Sequence, residues 1–203
     1  MKYDPEKHHR RSIRLKGYDY SQAGAYFITI VTQGRTCLFG DVEDGEMRLS
    51  TWGEIAREEW FKTAQIRPYV RLHDAEFVVM PNHVHGIIWI VDDDDNVVGA
   101  RRRHVGARRR RAPTGRDAPV SDHDTTVERF GVPVCGSIPT IVRAFKSATT
   151  KRVNALRNTP GAPVWQRNYS EHIIRSEESL NRIRDYIANN PLQWEWDREN
   201  PNV

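Results

Sequence analysis

Phe77-Val78-Val79-Met80-Pro81-Asn82-His83-Val84-His85-Gly86-Ile87-Ile88-Trp89-Ile90-Val91 is an apolar run broken first by Pro81-Asn82 and then by two histidines. Its β-branched content and central turn residues predict two short strands joined at Pro81-Asn82. Side chains alternate between the faces of a strand, so His83 and His85 point the same way, about 7 Å apart along the chain, close enough to share one ion. Two histidines bonded to backbone would look the same in sequence. The rest of the chain has to decide between them.

Working outward, the 203 residues, 38% of them hydrophobic, suffice for one core and hence one domain. The formal charge is +4, but Lys and Arg dominate from Arg101 to Arg175 while acids gather near Asp92 to Asp95, which favours a polyanionic partner. No basic stretch also carries an amphipathic membrane face. Cys37 and Cys135 make neither a disulfide framework nor a Cys-x-x-Cys zinc set. With no apolar signal core at the N-terminus and no apolar run of membrane-spanning length, a soluble, cytoplasmic protein is expected.

On either side of the opening stretch the elements alternate. Residues 1–17, with His8-His9-Arg10-Arg11, read as a basic arm. Ala25 to Thr32 reads as a central strand bounded by glycines, and Asp44-Gly45 as the turn of a small accessory ribbon. Ser50 and Thr51 offer caps to a helix whose Trp52, Ala56, Trp60 and Ala64 repeat at i, i+4, i+8, i+12 until Pro68. From 92 to 133 the pattern dissolves into a loop expected to be disordered, with seven arginines in the eleven positions 101–111. Ser137 can cap a helix over 139–156 with Ile141, Val142, Phe145, Ala148, Val153 and Leu156 on one face. Arg143, Lys146, Lys151 and Arg152 on its other sides, with no acid from 131 to 161, suit phosphate contact.

Val164 to Arg175 reads as the fourth main strand. Its Trp165 is a candidate base-stacking platform, and Arg167, His172 and Arg175 are candidate DNA contacts. Ser176 caps a last helix that Pro191 stops, with Leu180, Ile183 and Ile187 as its buried stripe. At about 100° per residue, Tyr186 and Asn190 fall one turn apart on a flank of that stripe. A packed tyrosine with an asparagine cap before proline has the same spacing.

Three stretches together resemble the REP-associated tyrosine transposases, relatives of the single-strand transposases within the HUH endonucleases. They are Met80-Pro-Asn-His-Val-His-Gly86, Ile141-Val-Arg-Ala-Phe-Lys-Ser-Ala-Thr-Thr-Lys-Arg-Val153, and Val164-Trp-Gln-Arg-Asn-Tyr-Ser-Glu-His-Ile-Ile-Arg175 running on through Asp185-Tyr-Ile-Ala-Asn-Asn-Pro191. The resemblance covers 18–196 and is weakest over the arginine loop. It implies an α+β, ferredoxin-like fold, a four-stranded antiparallel sheet with helices packed on one face, in a single catalytic domain at 18–198. It also implies His83 and His85 as metal ligands, Asn190 as the third, and Tyr186 as nucleophile. Tyr169, near His172, is the rival nucleophile but does not match the family position.

Mg²⁺ or Mn²⁺ suits two imidazoles and an amide oxygen with open positions. The implied activity is metal-dependent cleavage and rejoining of single-stranded or hairpin DNA through a 5′-phosphotyrosine. Two other classes fit parts of the same sequence: a non-catalytic nucleic-acid-binding module, which needs only the cations, and a metal-dependent hydrolase, which leaves no covalent adduct. Monomer and dimer are both open.

Overall fold

The computed structural model describes residues 15, 17–92, 134–201 and 203. The expected N-terminal arm lies almost wholly outside the described residues, as does the arginine-rich loop.

Four strand positions make the main antiparallel sheet. At its centre β1 (Gly24–Val31) pairs with β6 (His83–Ile90) on one side and with β7 (Ser170–Ile174) on the other. The far edge of β6 is shared by two short strands, β4 (Val70–Arg71) and β5 (Phe77–Met80), separated by the 3-10 turn Asp74–Glu76. The turn at Pro81-Asn82 joins β5 to β6, as the opening stretch predicts. The accessory ribbon is present as β2 (Gly40–Glu43) paired with β3 (Glu46–Leu49), with Asp44 in the left-handed region.

Alternation along β1 and β6 divides the apolar residues between two faces. Tyr26, Ile28 and Ile30 of β1 join Val84, Ile88 and Ile90 of β6 in the main core. There α1 (Thr51–Ile66) contributes Ile55, Ala56 and Trp60, and α2 (Ile138–Leu156) contributes Ile141, Val142, Phe145 and Val153. Ala25 and Ile87 form a second, smaller cluster on the opposite face with Ile187 of α3 (Glu177–Asn189), flanked by Phe27, Trp89, Leu180 and Ile183. The α+β class and antiparallel sheet are thus as expected, with one correction: two helices share a face, and the third covers the other. The reason lies in the strands themselves. Both are apolar on both faces, as central strands covered twice must be.

Local departures have local causes. Glu59 of α1 is buried, widening the expected stripe, because Arg152 of α2 bonds its carboxylate at 2.9 Å and that of Glu58 at 2.6 Å. Leu156, expected on the buried face of α2, is 58% exposed in the last turn. Ser50 caps α1 by accepting from the Gly53 N–H at 3.2 Å, whereas the Ser137 hydroxyl turns back to donate to the Val134 carbonyl at 2.8 Å. The strand expected from Val164 onward pairs continuously only from Ser170, after one isolated bridge between Thr32 and Trp165. Between them the carbonyls of Gln166 and Arg167 accept from Lys146 Nζ at 2.6 and 3.1 Å instead of from a neighbouring strand. Among the described residues no helix is long and apolar enough to cross a membrane.

Gly86, next to His85, is fixed by close approach. The Trp60 indole stacks on Phe77 with ring centroids 4.6 Å apart, and a Cβ at Gly86 would collide with both rings. Gly86→Ala should therefore cost about 1–3 kcal/mol through overpacking, read as a lower urea midpoint with an unchanged slope.

Candidate metal and tyrosine site

The face of the sheet that carries α3 also carries both histidines, and their ring centroids are 4.5 Å apart. Antiparallel register sets Thr29 of β1 directly opposite His85 of β6, which is why Thr29 Oγ1 lies 2.9 Å from His85 Nδ1. His83 Nδ1 lies 2.8 Å from Asn82 Oδ1. The Asn82 amide nitrogen donates to the Arg35 carbonyl at 3.1 Å and to the Glu199 carbonyl at 2.6 Å. With that nitrogen so committed, the amide oxygen faces His83 and can only accept, so His83 Nδ1 carries the proton. The Nε2 lone pair of His83 is then aimed into the site.

α3 brings the other two residues. Tyr186 lies one turn before Asn190, and its hydroxyl is 3.1 Å from His85 Nε2. The phenol packs edge-on against Phe27, which itself stacks on His85 at 5.4 Å. Asn190 is 1% exposed and caps α3 just before Pro191. The helix is held on the sheet by Arg184, whose guanidinium bonds the buried Glu76 carboxylate at 2.6 and 2.8 Å, while Glu76 also accepts from Trp89 Nε1 at 2.6 Å.

A residue that periodicity did not single out completes the arrangement. After α3 the 3-10 segment Pro191–Trp196 turns the chain back over the histidines, with Trp194 6.1 Å from the His83 ring, and delivers Asp197. Asp197 Oδ2 lies 3.9 Å from His83 Nε2 and 3.4 Å from Asn190 Nδ2. One ligand atom from each of His83, His85 and Asp197 lies within 4.8 Å of the others. The only sequence signal was a Trp-rich stretch after a helix stop. No spacing rule links it to His83.

Burial governs the electrostatics. It is the main reason that His83 is lowered to about 4 and His85 well below its ordinary value; Asp197 and then the nearby Asn190 amide partly offset the shift at His83, while the neighbouring His83 adds to it at His85. Both imidazoles are therefore neutral near pH 7, the form that binds a metal. Burial, with help from Asp197, raises the Tyr186 phenol, and the Asn190 amide opposes the rise. His83 Nε2 and Asn190 Oδ1 are buried without a partner at hydrogen-bonding geometry. Two orphaned acceptors beside a carboxylate suit a cation.

The sequence-expected DNA contacts scatter. Trp165 is 5% exposed and sits in the main core between Phe39 and Phe145, so it does not present a stacking face. Arg152 is engaged with Glu58 and Glu59, and Lys146 with two carbonyls, burial lowering its amine to about 8. Arg143 and Lys151 are exposed, but on α2, across the sheet from Tyr186. His172 pairs with Phe27 and so shares the site's face; Arg167 and Arg175 are exposed on either side of β7. Tyr169 packs against the main core, whereas Tyr186 stands beside the histidines.

No family model matches the chain. It is 40% identical over 197 residues to an uncharacterised protein of Haemophilus influenzae, covering 97% of this chain and 96% of that one. It is 23% identical over 175 residues to a second protein of that organism, provisionally named a REP-associated tyrosine transposase, covering 86% and 74% respectively. Among solved structures, a REP-associated tyrosine transposase bound to a REP hairpin aligns with 93% of this chain and 75% of its own, at 20% identity and a TM-score of 0.49. A Deinococcus radiodurans protein provisionally named a transposase aligns with 87% and 97%, at 21% identity and a TM-score of 0.37. The chain belongs to one family with the uncharacterised Haemophilus protein and is similar, at lower identity, to the one provisionally named a REP-associated tyrosine transposase.

Proposed function

We propose that the protein is a divalent-metal-dependent endonuclease and transposase that cuts and rejoins single-stranded or hairpin DNA through Tyr186. The observation that carries this reading is the 3.1 Å approach of the Tyr186 hydroxyl to His85, in a site where the buried His83 Nε2 and Asn190 Oδ1 have no partner at hydrogen-bonding geometry. A packed tyrosine needs no such neighbours. The curated relative named a REP-associated tyrosine transposase supports the DNA substrate class.

His83, His85 and Asn190 would hold the metal. Bound there, Mg²⁺ or Mn²⁺ would neutralise charge on the non-bridging oxygens of the scissile phosphate. The chain's own contribution is positioning. Thr29 and Asn82 fix the two rings through their Nδ1 atoms, leaving both Nε2 atoms on the site side. Phe27 and His85 hold the phenol against the sheet and so restrict where its oxygen lies.

Tyr186 Oη forms a bond to phosphorus as the bond from phosphorus to the 3′ oxygen breaks; the phenol loses a proton and the departing 3′ oxygen gains one. The product is a 5′-phosphotyrosine and a free 3′ hydroxyl. Reversal by a 3′ hydroxyl rejoins the strand without ATP. Because burial raises the phenol, its proton is present near pH 7 and has to leave as the new bond forms.

With Trp165 in the core, Trp196, 75% exposed and next in sequence to Asp197, takes over the proposed base-stacking role. The test is a denaturing gel of full-length protein mixed with labelled single-stranded and hairpin DNA, with Mn²⁺ or with EDTA. A labelled band that survives denaturation only with metal is expected. Cleavage without such a band would make the protein a hydrolase, and binding without cleavage would make it a binding module.

A further inference from the structure

We infer that Asp197, carried by the segment that follows α3, is the anionic ligand of the same cation site, so that this segment and not only the sheet and α3 builds the metal centre. The inference rests on the proposed function, and deepens it.

The first argument is the face that Asp197 meets. His83 Nε2 bears a lone pair, because Asn82 fixes the proton on Nδ1. A carboxylate oxygen 3.9 Å from that lone pair sets two acceptors against each other, with His83 at 0% and Asp197 at 9% exposure. Asp197 Oδ2 has one weak donor, Asn190 Nδ2 at 3.4 Å. Burying an anion against an acceptor is unfavourable unless a cation lies between them. Two ligands of one Mg²⁺-sized ion lie roughly 3–4 Å apart, given metal–oxygen distances of about 2.1 Å. The observed separation falls in that interval.

The second argument is that Asp197 is held in place. Its other oxygen, Oδ1, accepts the Glu199 N–H at 2.7 Å, leaving Oδ2 for the site. The Glu199 carbonyl is bonded by Asn82, and the Glu199 carboxylate pairs with Arg35 at 3.3 Å. Asn82 therefore ties together the His83 ring and the segment that supplies Asp197. The carboxylate also bears on the choice of ion. It adds a second oxygen ligand to the Asn190 amide oxygen, which strengthens the preference for a hard, oxygen-seeking ion such as Mg²⁺ or Mn²⁺.

The experiment is Mn²⁺ titration of the full chain without DNA, read by the electron paramagnetic resonance signal of free Mn²⁺, for wild type, His83→Ala and Asp197→Asn. Asparagine keeps an oxygen for the Glu199 N–H, so the turn survives while the charge is removed. Wild type should bind one Mn²⁺ that His83→Ala loses, and Asp197→Asn should bind it at least tenfold more weakly. In EDTA, Asp197→Asn should melt at or above wild type, because the opposed acceptors are relieved. Equal or tighter Mn²⁺ binding by Asp197→Asn, with His83→Ala still losing the ion, would overturn the inference and leave the proposed function standing. A variant that melts well below wild type in EDTA would make Asp197 structural and also overturn it. If His83→Ala binds Mn²⁺ like wild type, or wild type binds none, the proposed metal site itself fails.

Discussion

Tyr186→Phe should abolish the covalent adduct with DNA, a loss on the order of a thousandfold or more in cleavage, while the protein still folds and binds DNA. The size of the effect follows from what phenylalanine keeps. Its ring retains the edge-on contact with Phe27 and the packing against His85, and only the oxygen that would bond phosphorus disappears. One hydrogen bond to His85 is lost, worth about 0.5–1.5 kcal/mol. Tyr169→Phe should leave adduct formation near wild type, because Tyr169 packs against the main core. Quantifying the adduct with labelled DNA, alongside a melting curve and a binding isotherm, checks all three statements.

His83→Ala should remove metal-dependent cleavage to a similar extent by a different route. It deletes a ligand whose lone pair points into the site and leaves Asn82 Oδ1 without its donor, so a stability loss of about 1–3 kcal/mol accompanies the loss of activity. Affinity for DNA should change little, since affinity for the phosphate backbone comes mainly from Lys and Arg. The salt dependence of binding separates the two effects: its slope should stay that of wild type while cleavage disappears. Equal cleavage by wild type with and without EDTA would contradict the role of His83 at its root.

Much of the fold was legible because it is written in short-range patterns. The break at Pro81-Asn82, the period-2 placement of His83 and His85, and the flank shared by Tyr186 and Asn190 are all consequences of local patterns, and the structure brings His83, His85, Tyr186 and Asn190 to one face. The sidedness of the helices was not legible in the same way. A strand such as β1, apolar on both faces, shows that two layers cover it without saying which helix covers which.

The DNA contacts assigned from composition fared differently for a related reason. Arg152 looks free in a stretch without acids, yet its partners Glu58 and Glu59 stand on another helix, more than ninety positions away. Trp165 is followed by Gln166 and Arg167 in sequence, but its segment enters the core at the isolated bridge to Thr32. Asp197 was missed because it reaches the site by a 3-10 segment and a web of bonds through Asn82 and Glu199, features with no sequence period.

The central claim is that Tyr186 is the residue joined to DNA, and peptide mapping of the trapped protein–DNA complex tests it most directly. After nuclease trimming and proteolysis, the account predicts a nucleotide-bearing phosphotyrosine on the peptide that contains Tyr186. A nucleotide on Tyr169, or on no tyrosine at all, would contradict it.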